Sequence, residues 1–262
     1  RKGKPFRLSM TGGVTAIAVD AVGNEVFTAD EFGEVLHWQL KNLSKATFTP
    51  VAKHESAVLG LGFVSKERAL ISLGQDKKLL VTEVDKKMRD DEASLPMGIG
   101  LQGVPDKPKL LVIDPNGRRA AVSAGDGKIY VWDLNARLTS AQPIAKFDEH
   151  TDVIEDLAAS RDGNWMLSAG KDGTLREWDL QNTTSGAGSN PANDHVGPVF
   201  DLALSADGSR VLSGGQDKVL RGWRVDPAGV PRLQITHDVS GPIKALAISP
   251  DGRLLAEGGE DG

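Results

Sequence analysis

Short apolar runs alternate with polar turns along the whole chain, and the arrangement repeats. Its clearest instance lies at residues 150–180, where 153–159 (VIEDLAA) predict an apolar innermost strand. Ser160-Arg161-Asp162-Gly163 then predicts a turn, because Gly163 can take the positive φ that other residues resist. Residues 164–169 (NWMLSA) predict a second strand, and Lys171-Asp172-Gly173 a tight hairpin of the Asp-Gly kind. Residues 174–180 (TLREWDL) alternate with the period of two that a sheet requires. A fourth, outer strand should lead to the next histidine.

The same design returns from His195, with strands predicted at 199–204, 210–214 and 219–225 around the turns SADG (205–208) and Gln216-Asp217-Lys218. An earlier copy starts at Lys109 and carries Asp114-Pro115-Asn116-Gly117, then the shorter turn Ala124-Gly125-Asp126-Gly127. Two degenerate copies precede it at 14–40 and 58–84, and a last one starts at His237 and stops at Glu260-Asp261-Gly262. Each third strand is a recognisable segment: GEVLHWQL, GKIYVWDL, GTLREWDL and KVLRGWRV around Trp38, Trp132, Trp178 and Trp223, and KKLLVTEV with Thr82 in the tryptophan's place. The steps 38→82→132→178→223 are 44, 50, 46 and 45 residues. A period of about 40–45 residues is that of a four-stranded propeller blade. The expectation is therefore an all-β propeller of antiparallel blades, a single domain over residues 1–262. Its repeats fall at approximately 6–40, 46–84, 95–134, 143–180, 187–225 and 230–262, the last truncated.

Composition narrows the classes. Of 262 residues, 39% are hydrophobic and 26% charged, which suits a globular domain with a sizeable core. A net charge of −5 argues against a nucleic-acid surface. No apolar run approaches the roughly 18–20 residues that span a bilayer, so no membrane role is expected. The start, RKGKPFRL, is basic but lacks the apolar stretch of a signal peptide, and it lacks a first Met, as an excised or processed segment would. With no cysteine, disulfides, thiolate zinc sites and cysteine nucleophiles are all excluded, and the cytoplasm is the expected compartment.

Approach histidines, S-x-D-G turns, a Ser-x-x-x-Asp spacing and a Trp-Asp pair six to seven residues beyond that Asp together resemble the WD40 repeat family over nearly the whole chain. The resemblance implies a β-propeller, usually of seven blades, with strands named outward from the axis. Residues 6–10 align with the outer strand at 144–148, so the chain would begin with an outermost strand of a blade shared between the two termini. The pattern would then need roughly 50–60 more residues after Gly262 to close the ring. The parent chain is accordingly expected to be longer, with fused domains in prospect.

His150, Ser168 and Asp172, and again His195, Ser213 and Asp217, invite a hydrolase reading. The resemblance implies a structural tetrad instead, His150-Ser168-Asp172-Trp178 and His195-Ser213-Asp217-Trp223, in which indole, hydroxyl, imidazole and carboxylate form a hydrogen-bond chain. Duplication favours the tetrad: one triad suffices for an enzyme, whereas every blade needs a lock. Other copies erode it. His54, Ser72 and Asp76 meet Thr82; Thr28 and Trp38 have Thr11 and Phe32 at the His and Asp positions; Ser123, Asp126 and Trp132 lack a His; His237 and Asp261 flank Glu257. Locking should therefore be uneven. The five histidines (37, 54, 150, 195, 237) have no zinc spacing, and no segment, TTSGAGSN at 183–190 included, has the phosphate-cradle pattern, so no metal or cofactor is expected. Residues 85–94 (DKKMRDDEAS) predict a solvated loop. A quinoprotein-type propeller would show a Trp-docking pattern in place of the Ser-x-x-x-Asp turns.

Family geometry places candidate partner-binding residues at the rim: Gln75, Lys171 and Gln216 before the turn Asp, with Glu260 in the last copy, and Leu59, Ile154, Phe200 and Lys244 near the start of the first strand. An aromatic anchor among polar neighbours is the usual composition of a binding hot spot. The expected function is a non-catalytic scaffold for a protein or peptide partner. The alternative is a regulatory or substrate-binding propeller within a larger multidomain enzyme.

Overall fold

The computed structural model describes residues 10–20, 24–40, 47–84, 98–134, 142–181, 194–225, 231–249 and 252–260. The segments predicted at 6–9, 85–94 and 183–190, and Asp261, lie outside the described residues. Every regular element among the described residues is a β-strand. The chain forms two compact units, Arg1–Leu111 with Arg137–Gln142, and Val112–Ala136 with Pro143–Gly262.

The first unit holds two antiparallel sheets whose strands lie in sequence order. One comprises β1 (Val14–Val19), β2 (Glu25–Asp30), β3 (Glu34–Gln39) and β4 (Thr47–Lys53). The other comprises β5 (Val58–Val64), β6 (Ala69–Gly74), β7 (Leu79–Glu83) and β8 (Ile99–Leu101). Strand β9 (Pro108–Ile113) crosses the division and belongs to a sheet with β10 (Arg119–Ala124), β11 (Ile129–Asp133) and β12 (Ala145–Phe147).

The second unit continues with β13 (Ile154–Ala159), β14 (Trp165–Gly170) and β15 (Leu175–Asp179), three-stranded among the described residues. Next come β16 (Val199–Leu204), β17 (Arg210–Gly215), β18 (Val219–Val225) and β19 (Pro231–Asp238), then the pair β20 (Ile243–Ile248) and β21 (Leu255–Gly259). These are blade-like meanders, joined by the short turns that two antiparallel strands allow.

Second strands are buried on both faces, which is why ALISLG, RAAVSA, WMLSAG and RVLSGG read as continuous small and apolar runs without alternation. In the first unit the core gathers Phe27, Val35, Val51, Val58 and Leu70. In the second, Leu167, Leu175, Val199, Val211 and Trp223 pack together, and first strand β13 lies against β16 and β16 against β20. Burial of such side chains contributes roughly 1.5–3 kcal/mol each. The S-x-D-G turns depend on glycine at their last position: Gly163, Gly208 and Gly252 have φ of 71°, 71° and 67°. Lys77 and Lys218 adopt φ of 62° where Gly173 stands in the better-formed copy.

Candidate functional site

Strand β14 places Ser168 inside its sheet, fully buried, and β15 places Trp178 beside it. Trp178 Nε1 donates to Ser168 Oγ at 2.8 Å. His150 Nε2 is 2.6 Å from the same oxygen, and His150 Nδ1 is 2.7 Å from Asp172 Oδ2. Because the Asp172 carboxylate can only accept, the network assigns the hydrogen of a neutral imidazole to Nδ1, and Nε2 then accepts the Ser168 hydroxyl hydrogen. Asp172 also accepts from the Thr151 N–H (3.0 Å), the Thr174 N–H (3.0 Å) and Thr174 Oγ1 (2.8 Å). Burial by itself would raise the Asp172 carboxyl, but the His150 and Thr174 hydrogen bonds outweigh it and hold the group far below the usual carboxylate range. Gly170 makes room for this chain: a Cβ there would lie 2.5 Å from Asp172 Oδ1 and 2.6 Å from His150 Nδ1.

His195, Ser213, Asp217 and Trp223 are also brought together, with one difference. Trp223 Nε1 donates to Ser213 Oγ at 2.8 Å, and His195 Nε2 is 2.8 Å from that oxygen. His195 Nδ1, however, lies 3.1 and 3.2 Å from the Asp217 oxygens, while the buried Arg221 donates through Nη1 to Asp217 Oδ2 at 2.7 Å and stands 2.8 Å from His195 Nδ1. The cause is local. Val219 stands where Thr174 caps the carboxylate in the preceding sheet, so Asp217 has an acceptor site to spare. Arg176, the counterpart of Arg221, instead reaches Glu149 at 3.1 Å. Burial first, and then Arg221, push the His195 imidazole below its ordinary value.

The remaining copies depart further. His54 meets Asp76 (2.9 Å) and Ser72 (2.8 Å), but the buried Thr82 hydroxyl has no hydrogen-bond partner among the described residues. Trp38 Nε1 donates to Thr28 Oγ1 at 2.8 Å. Phe32 is exposed, and the turn carboxylate comes from Asp30 two residues earlier, which accepts from the Phe32 and Glu34 N–H groups at 3.0 and 2.8 Å and from Thr11 Oγ1 at 3.2 Å. Asp30 occupies the position of Gly170. A side chain fits because no histidine stands there: the register places Met10, and not Thr11 as expected, at the position of His150, while Thr11 Oγ1 reaches the carboxylate from the next position; the pairing of missing His with missing Gly was the signal in the sequence. His37 stacks on Phe27 at 4.6 Å, outside any such chain. Ser123 and Trp132 are fully buried without a histidine before them. His237 needs correction: it lies on β19, opposite Leu220 and exposed, and is no approach histidine of the last copy.

At one end of five of the six sheets, the first strand (β1, β5, β13, β16 or β20) carries a β-bulge beside the turn that follows the second strand. In the second unit the bulged residues are Glu155, Phe200 and Lys244, between the pairs Ile154↔Gly170 and Asp156↔Ala169, Val199↔Gly215 and Asp201↔Gly214, and Ile243↔Gly259 and Ala245↔Gly258. Ile154 is therefore not a surface residue as expected. It is 0% exposed, and the equivalent of Phe200 is Glu155. Lys171 and Gln216 are exposed, each fixed by its backbone N–H on the entry to the first strand, to Val153 O (2.8 Å) and Pro198 O (2.9 Å). Lys171 pairs with Glu155 at 3.2 Å. Lys244 covers the Phe200 ring at 3.7 Å from its centroid and pairs with Glu260 at 3.1 Å. In the first unit, Leu59 is the half-buried bulge residue, and exposed Gln75 donates its N–H to Ala57 O at 2.9 Å. Among the described residues, no group of His, Asp and Glu could hold a metal ion, and no helix is long and apolar enough to cross a membrane.

The family model "WD domain, G-beta repeat" matches residues 111–133, 141–179 and 192–224. The human WD repeat-containing protein 36 is 24% identical over 170 residues, 64% of this chain and 18% of that protein. The Target of rapamycin complex subunit LST8 of Saccharomyces cerevisiae is 27% identical over 66 residues, 25% of this chain and 21% of that protein. Protein groucho of Drosophila melanogaster is 34% identical over 71 residues, 27% of this chain and 9% of that protein. The matched stretch thus spans under a quarter of each of these relatives. With its repeated Trp-Asp sheets, S-x-D-G turns and three matched stretches, the chain carries WD40 repeats at residues 111–133, 141–179 and 192–224.

Proposed function

We propose that this chain is a non-catalytic interaction module that receives a protein or peptide at the bulged ends of its sheets. The observation that carries the reading is the cluster formed there in the second unit, Phe200 under Lys244 and Glu155 paired with Lys171. Glu155, Phe200 and Lys244 are set on first strands, and Lys171 and exposed Gln216 in turns tied by backbone hydrogen bonds to the entries of those strands. Rigid placement lowers the entropy lost on binding, and an aromatic ring beside charged groups suits a peptide anchor. The His-Ser-Asp-Trp chains act as locks that hold each sheet's strands in place. Ser168 and Ser213 have no exposed surface, and each already contacts an indole and an imidazole, so neither offers an approach to a substrate carbonyl. The yeast relative LST8, whose name makes it a subunit of a target of rapamycin complex, is an assembly component, which supports this reading.

The test is a quantitative affinity capture comparing the intact chain with a Phe200→Ala/Lys171→Ala variant of unchanged melting temperature. At least one partner should be lost by about tenfold or more, the scale of a hot-spot truncation. If every partner is retained at the level seen with the unaltered chain, the bulged ends are not the binding surface.

A further inference from the structure

Glu25 opens β2 two residues before Phe27, so their side chains share one face of the first sheet. His37, opposite Phe27 on β3, stacks on its ring at 4.6 Å, and Phe27 in turn meets Phe63 of β5 at 4.5 Å. The His37 side chain is 4% exposed, and its Nε2 has no hydrogen-bond partner among the described residues. Glu25 Oε1 stands 3.5 Å from that nitrogen. The carboxylate is already engaged by Arg68, which immediately precedes β6: Nη2 donates to Oε1 at 3.3 Å, and Nη1 donates to Oε2.

Arg68 ends the turn from Ser65 with a φ of 53°, a region that residues with side chains resist. Contacts hold it there. The Val84 N–H donates to Arg68 O at 2.7 Å, Arg68 Nε donates to Val84 O at 3.2 Å, and the guanidinium lies 5.4 Å from the Phe63 ring centre. The Glu25 pair ties this turn to the neighbouring sheet. The charged groups that act on His37 are Glu25 on β2, Arg68 before β6, and Asp20 after β1, which accepts from the Glu25 N–H at 2.8 Å. Strand β4 brings Thr49 opposite the ring and β5 brings Phe63, neither of them charged.

We infer that Glu25, His37 and Arg68 form an acid-sensitive switch, which holds the 65–68 turn against the first sheet while His37 is neutral and releases it when His37 takes up a proton. A proton on Nε2 would set a second cation beside the oxygen that accepts from Arg68 Nη2. One buried carboxylate cannot offset both charges, and opening lets water solvate them. Burial first, and then Arg68, lower the imidazole below its ordinary 6.5, against the opposing pull of Glu25. The opened form therefore binds the proton more tightly. Closure is complete above the ordinary value and is lost as pH falls below it.

Amide hydrogen exchange over residues 65–74, read by mass spectrometry on the full chain at about pH 7.5 and about pH 5.5 and corrected for intrinsic rates, reports on this turn and β6. Protection should fall by about three- to tenfold at the lower pH, since one unit below the ordinary value allows at most about tenfold. His37→Phe preserves a ring against Phe27 but takes up no proton, so the segment should lose this pH dependence. His37→Gln makes the same comparison without a ring. Glu25→Gln should show the released turn at both pH values. Equal protection of the parent at the two pH values would overturn the inference, as would undiminished acid sensitivity in either His37 variant. So would a Glu25→Gln turn as well protected as the parent's at about pH 7.5.

Discussion

Trp178 and Thr82 occupy the same place in two sheets, and the hydrogen bond that the indole makes is one the threonine does not. Trp178 satisfies Ser168 at 2.8 Å, whereas the Thr82 hydroxyl is buried with no partner among the described residues. A buried polar group without a partner costs about 1–3 kcal/mol, and replacing it by an apolar group of the same shape removes that cost. Thr82→Val is therefore expected to stabilise the protein by about 1 kcal/mol. Trp178→Phe should destabilise it by about 1–3 kcal/mol, because Ser168 loses a donor in a site closed to water. Denaturant midpoints of the two variants check both signs together, and a Thr82→Val protein less stable than its parent would contradict the account.

First strands carry a different device, in which a carboxylate of one sheet holds the backbone of the next. Asp156 on β13 accepts from the Leu157 N–H at 2.8 Å and, across to β16, from the Leu202 N–H at 2.9 Å. Asp201 on β16 repeats the contact to the Leu246 N–H on β20, where Ala245 ends the series. The bulges at Glu155 and Phe200 create this geometry by turning the next residue toward the neighbouring strand. Burial first, and then the Asp201 carboxylate, push the Asp156 carboxyl up to about 7 from an ordinary 3.8. A group whose folded value is raised contributes stability that is complete below its unfolded value and is lost as pH rises through the folded one. The Asp156 contribution should therefore decline between about pH 4 and pH 7. His195 and His37, both lowered by burial first, work in the opposite direction as pH falls, so the measurement must be a difference. The melting temperature of Asp156→Asn minus that of the parent should rise across this window; a difference independent of pH would exclude the shared carboxyl as its source. The same bulges explain why Ile154 is misplaced in a reading of the sequence. One extra residue shifts which side chain reaches the surface, and no residue type in VIED marks it.

Repetition made the strands legible at the scale of the whole chain. Apolar runs at 153–159 and 199–204 and their Asp-Gly and S-x-D-G turns fall within a residue of β13 and β16, since glycine is needed wherever φ is positive. Features of single copies were not legible, because each depends on a local exchange that the repeat conceals. Asp30 replaces the turn Asp once a histidine is absent, Arg221 enters where Val219 leaves a carboxylate uncapped, and His237 sits on β19 because that strand extends over eight residues. These exchanges leave the sheets unequally held, and the inequality can be measured. Strands β14 and β17 each carry a serine with both its indole and imidazole neighbours in hydrogen-bond range. Strand β6 lacks the indole contact at Ser72, and β21 is exposed along its whole length. One missing buried hydrogen bond of about 1–3 kcal/mol corresponds to about a tenfold or greater change in local opening. Amide hydrogen exchange followed by mass spectrometry should therefore be slowest in β14 and β17, about tenfold or more faster in β6, and fastest in β21. The hydrogen-bond chains do not govern local stability if β6 exchanges as slowly as β14, since both strands are equally buried and differ chiefly in that contact.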